Sequence, residues 1–164
     1  MGRRSTKENK NIYQQSREAA GLTRAQASEK TGYISESRIE KIESEKSPAH
    51  PDEIMALAAA YKRPDLRNYY CSCECPLGLD HVPRTEDKSL SQIVLEILAT
   101  LNRLEQEKER MIEITADGKI SEDEVSDFSR IKKTLSQISG TIDSLQLWID
   151  NVAANGGIDL SAFD

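Results

Sequence analysis

Aromatic side chains are scarce in this chain, at 5% of 164 residues with one Trp and two Phe. β-Sandwiches and barrels draw heavily on aromatic and β-branched residues, so the shortage points toward helices. Long apolar runs are also missing. The longest, Ile93 to Leu101, is interrupted by Glu96, and a membrane-spanning helix needs roughly 20 apolar residues in succession. The amino terminus, MGRRSTKENK, lacks the apolar stretch of a secretion signal. Cysteine is confined to Cys71, Cys73 and Cys75, too close together to staple a fold by pairing with one another. A reducing, cytoplasmic setting is the expectation. Histidine is limited to His50 and His81, a helix start and a connecting segment, and no glycine-rich phosphate loop or Ser-His-Asp grouping is present. An enzyme is therefore not expected, and neither is a cofactor.

Net charge is −6, which taken alone argues against a polyanionic partner. Its distribution reverses that. Residues 1–70 hold 13 Lys/Arg against 10 Asp/Glu, whereas residues 71–164 hold 9 against 18. A basic front and an acidic rear suit a chain whose front alone meets phosphate.

The front divides into short helices by its own punctuation. After a basic arm over residues 1–10, a first helix is expected over Asn11 to Ala20, closed by Gly21. Thr23 and Gln26 form a capping box for a second, and Gly32 provides the turn after it. Ser35 is an N-cap for a third helix whose apolar face is Ile39 and Ile42. Pro51 with Asp52 and Glu53 opens a fourth, and Pro64-Asp65 a short fifth. Two short helices around a glycine turn are how a helix-turn-helix offers its second helix to the DNA major groove.

Several residues together resemble the Cro/repressor-type (Xre-like) helix-turn-helix family over about residues 11–70. They are Gly21-Leu22-Thr23, the small Ala27 and Ser28 where helices would cross, the turn at Gly32, the run Arg38-Ile39-Glu40-Lys41-Ile42-Glu43, and the Pro-led fourth helix. Arg24 stands where the family usually has glutamine, and seven residues separate Gly32 from Ile39 where six are common. The resemblance implies a transcriptional regulator that binds double-stranded DNA. A recognition helix over about residues 35–44 would present Ser35, Glu36, Ser37, Arg38, Glu40 and Lys41. Arg38 or Lys41 would pair with guanine, and Glu36 would accept from cytosine. Thr23, Arg24 and Lys46 would hold the DNA backbone, with Arg3 and Arg4 reaching into the minor groove.

The rear has a different texture. A linker over residues 77–88 separates the expected domain, residues 11–76, from two long amphipathic helices over 89–154, with a tail at 155–164. Leu90, Val94, Ile97, Leu101 and Leu104 alternate four and three, as do Phe128, Ile131, Leu135, Ile138, Ile142, Leu145, Ile149 and Val152. The turn between them contains Asp117-Gly118 and a capping pair, Ser121 with Glu124. The expected fold class is thus all-α, a five-helix repressor-like domain followed by a long antiparallel hairpin. The apolar surplus on the hairpin makes it the expected seat of a homodimer.

Two further patterns carry metal-ligand chemistry. Cys71, Cys73 and Cys75, with His81 nearby, have the ligand chemistry of a metal or redox sensor, but one-residue gaps suit a tetrahedral site poorly. Glu113 to Glu124 matches the latter half of a calcium loop, yet its first two ligand positions lack Asp or Asn, and a glycine stop with a capping pair explains it. The remaining alternative to a DNA regulator is a protein-interaction module that keeps the helix-turn-helix scaffold. Acidic Glu36 and Glu40 on the presented helix are its support.

Overall fold

The computed structural model describes residues 10–157. The basic arm apart from Lys10, and the tail beyond Gly157, lie outside these. The described residues are helical, with no strand among them. Seven helices follow in order: α1 (Ile12–Ala19), α2 (Arg24–Thr31), α3 (Glu36–Glu43), α4 (Pro51–Tyr61), α5 (Asp65–Cys73), α6 (Leu90–Thr115) and α7 (Val125–Ala154). The chain forms two compact units. One holds α1–α5 with the end of α7 from Ile149, and the other runs Thr85–Trp148.

In the first unit each helix begins and stops where its flanking residues can satisfy the orphan backbone groups. Asn11 caps α1 by accepting from the Gln14 amide, and its own amide donates to the Ile42 carbonyl at 2.8 Å. Gly21, at φ +71°, reverses the chain after α1, letting the Leu22 amide close back onto the Arg17 carbonyl. Thr23 and Gln26 make the reciprocal capping box of α2, Gly32 ends it in the left-handed region, and Ser35 caps α3. The Gly21 stop, the Thr23–Gln26 box, the Gly32 turn and the Ser35 cap agree with the sequence-based expectation, whereas Asn11, expected as the first helical residue, is instead the cap of α1. The helices close over one core, with Ile39, Ile54, Leu57 and Leu66 almost fully buried. Each contributes about 1.5–3 kcal/mol by leaving water. Ala27 has no exposed surface, and a small side chain there lets α2 approach α3 and α4 closely.

The unit continues past α5. Tyr13 donates to Glu74 at 2.9 Å and meets Tyr69 edge-on, with ring centroids 6.1 Å apart. The Arg84 guanidinium lies 5.9 Å from the Tyr69 ring, and Asn68 donates to the Pro83 carbonyl at 3.0 Å. Gly78 passes so near α5 that an added Cβ would sit 2.0 Å from the Cys71 carbonyl oxygen. Residues 76–84 are therefore bound to α5, although their composition reads as a linker.

In the second unit α6 and α7 pack against each other. Successive polar rungs join Arg103 to Gln137, Glu107 to Arg130 and Arg110 to Asp127. They ascend α6 as they descend α7, which makes the pair antiparallel. The connection holds Gly118 at φ +72°, an Asp117 side chain that accepts from the Lys119 amide, and a Glu124 carboxylate that accepts from both the amide and hydroxyl of Ser121.

The inner seam differs from the expected one. On α6 the buried line is Ile93, Thr100 and Ile114, with Ile97, Leu104, Glu107 and Met111 half-buried between them. On α7 it includes Ile131, Thr134, Thr141 and Ser144. Leu90, Val94 and Leu101 on α6, and Leu135 and Ile142 on α7, are exposed instead. Small polar residues tolerate the seam because their hydroxyls bond back to the preceding turn: Thr100 to the Glu96 carbonyl at 2.6 Å, Thr141 to Gln137 at 2.8 Å and Ser144 to Gly140 at 2.9 Å. A reading based on apolarity alone passes over such positions.

Candidate nucleic-acid interface

The start of α2, the Gly32 turn and α3 are held together by two carboxylates that face inward. Glu43 lies on the core side of α3, four residues beyond Ile39, and its side chain is 1% exposed. It accepts from Arg17 Nε at 2.5 Å and Nη2 at 3.0 Å, and from Arg24 Nε at 2.8 Å. Arg17 also donates to the Leu22 carbonyl at 2.7 Å. One acid on α3 thereby fastens α1, the α1–α2 corner and the first turn of α2. Burial works against the Arg17 charge, and the bond to Glu43 together with the negative charge of Glu43 and its neighbours outweighs it, leaving the guanidinium above its ordinary value. Burial also pushes the neighbouring Tyr61 phenol up, and its hydroxyl finds no partner among the described residues.

Glu53, at the third position of α4, is the second carboxylate. It accepts from the His50 amide at 2.8 Å and from Arg38 at 2.6 and 2.7 Å. Arg38 further donates to the Ser47 hydroxyl at 2.6 Å and the Pro48 carbonyl at 2.8 Å. The bond to Arg38 holds the Glu53 carboxyl below the ordinary range, against the opposing effect of burial. The chain between α3 and α4 is thus wrapped around one guanidinium. Within it Glu45 adopts φ +60°, and the Lys46 amide closes onto the Lys41 carbonyl at 3.0 Å.

These bonds place the residues singled out from the sequence. Ser35, Glu36, Ser37, Glu40 and Lys41 are exposed on or beside the first turns of α3, and Thr23 is exposed at the start of α2. The Ser35 hydroxyl accepts from the Arg38 amide and lies 3.1 Å from that of Ser37. Lys46 is exposed, with its ammonium 4.0 Å from the Glu40 carboxylate. Arg24 keeps 33% of its side chain exposed while bound to Glu43. Arg38, expected on the exposed face, is drawn in, with Nε and both Nη groups engaged. Arg17, Glu43 and Glu53 were not anticipated. A signal for the first two exists in the sequence: Tyr13 and Arg17, like Ile39 and Glu43, are four apart and share a helix face, so opposite charges occupy two core stripes.

Residues 14–68 match the family model of a helix-turn-helix domain. This segment is a helix-turn-helix domain. The match takes in α2, the Gly32 turn and α3, the elements whose caps and inward carboxylates are described above. No curated protein and no solved structure matches the chain significantly. Outside the helix-turn-helix domain, Cys71, Cys73 and Cys75 are free thiols, each half-buried. Among the described residues no three His, Cys, Asp or Glu side chains gather to hold a metal ion. No described helix is long and apolar enough to cross a membrane.

Proposed function

We propose that the chain is a sequence-specific DNA-binding transcriptional regulator that works as a homodimer joined through the α6–α7 hairpin. The observation that carries the first half is the exposed first turn of α3, fixed by the Arg17–Glu43–Arg24 and Arg38–Glu53 bonds, at the centre of a helix-turn-helix domain. α3 enters the major groove. Lys41 donates to guanine, Glu36 accepts from cytosine, and Ser35 and Ser37 contact either backbone or base edges. Thr23, Arg24 and Lys46 contact phosphates, with Arg24 preset by Glu43. Arg38 positions the α3–α4 connection rather than reading a base.

Support for the dimer comes from the hairpin's uncovered stripe. Leu90, Val94 and Leu101 each lie about one residue past the inner line of α6, and Leu135 and Ile142 one residue past Thr134 and Thr141. Advancing by one residue on two antiparallel right-handed helices turns both toward the same side of the hairpin. The exposed residues therefore form one apolar stripe, which a second copy covers symmetrically.

The second reading, a helix-turn-helix scaffold that binds protein, has its own observation. Residues 23–47 hold five basic and five acidic side chains, and two of the basic ones are engaged by Glu43 and Glu53. Fluorescence-anisotropy titration against a genomic fragment library at two salt concentrations separates the two. Saturable, sequence-selective, salt-sensitive binding is expected, and absence of binding at low salt overturns the regulator.

A further inference from the structure

The first unit contains a cup that the DNA reading leaves unused. It lies between α4, the start of α5 and the last turns of α7, and has a volume of about 560 Å³, within the range of small-ligand sites. The space exists because facing walls carry alanine: Ala58 and Ala59 on α4, Ala153 and Ala154 on α7. Larger side chains at any of these positions would close it. Met55, more than half exposed on the rim, is an adaptable apolar wall.

The polar groups converge at one end. Lys62 caps α4 in the left-handed conformation, φ +55°, and lines the cup. A lysine tolerates this backbone poorly where glycine would not. Arg67 gives one Nη to Asp150 at 2.6 Å and Nε to the Pro64 carbonyl at 3.3 Å, and keeps 43% of its side chain exposed. Two cations and one carboxylate therefore line the cup over an alanine floor. Such a cup complements a monoanion with an apolar body.

We infer that this cup binds a small amphipathic carboxylate, its carboxylate at Lys62 and Arg67 and its apolar body along the four alanines. The cup shares no lining residue with the proposed DNA contacts, so its test uses the full chain without DNA. Amide chemical shifts are followed while octanoate, octylammonium or octanol is added. Octanoate is expected to shift Ala58, Ala59, Lys62, Ala153 and Ala154 saturably, at least about tenfold more tightly than either other probe. Lys62→Gly suits the left-handed backbone, so this variant should melt no lower than the parent while binding octanoate about tenfold more weakly. Ala154→Leu should abolish the shifts by filling the cup. Equal affinity for all three probes, shifts scattered away from the cup, or undiminished binding by Lys62→Gly each overturns the inference.

Discussion

Glu43 shows how much one side chain can decide in a small domain. Its carboxylate is nearly sealed from water and is shared by two guanidiniums on different elements. Removing one member of a buried ion pair leaves the rest desolvated without compensation, which costs about 3–5 kcal/mol. Glu43→Leu is accordingly expected to lower unfolding stability by that amount in urea titration, a large share of what a domain this size possesses. A loss below 1 kcal/mol would mean that the two arginines simply turn to solvent. Gly78 is a steric counterpart. A Cβ at 2.0 Å from the Cys71 carbonyl must push residues 76–84 off α5, so Gly78→Ala should cost about 1–3 kcal/mol. The Val82 amide, which donates to the Gly78 carbonyl at 2.7 Å, would then exchange faster, and unchanged hydrogen exchange there would count against the close contact.

Between elements, the bond from α3 to the start of α4 makes stability depend on acid. Glu53 is held below the ordinary carboxylate range, first by Arg38. The folded chain thus binds that proton less tightly than the unfolded one. The Glu53 contribution is complete above the unfolded value, about 4.3, and is lost as pH falls through the lower folded value. Glu18, lowered by Lys10, acts in the same direction. Arg38→Met should cost about 1.5–3 kcal/mol at neutral pH and flatten the acid limb of stability measured by denaturant at several pH values. An unaltered acid limb would show that the pair does not couple to folding. The caps of α2 and α3 were legible in the sequence because they depend on residues three positions apart. Arg38 was misplaced because its partners, Ser47 and Glu53, lie 9 and 15 residues away across a turn. The hairpin itself was legible, but part of its inner seam was not, for another reason. Leu90, Val94 and Leu101 are the more apolar line of α6, yet Ile93, Thr100 and Ile114 are the buried one. Apolar periodicity marks faces that avoid water, and it does not say whether the same chain or another covers them.

For the whole molecule, the proposed dimer would link assembly to recognition through this second apolar line. On the proposed reading each protomer brings two phosphate-directed cations, Arg24 and Lys46, on a segment with no net charge. Displacement of counterions by four contacts gives a slope of log affinity against log salt of about −4 for a dimer, and by two about −2 for a monomer. Placing glutamates at Val94, Leu101 and Ile142 adds charge only at positions already at least 43% exposed, so helicity by circular dichroism should hold. Light scattering should then show the mass halved, and anisotropy titration should show the salt slope fall toward the monomer value with affinity reduced at every salt concentration. An unchanged mass would remove the stripe as the dimer interface. A halved mass with the original slope would instead mean that a single helix-turn-helix domain accounts for all contacts with DNA, and that α6 and α7 serve a partner other than a second copy.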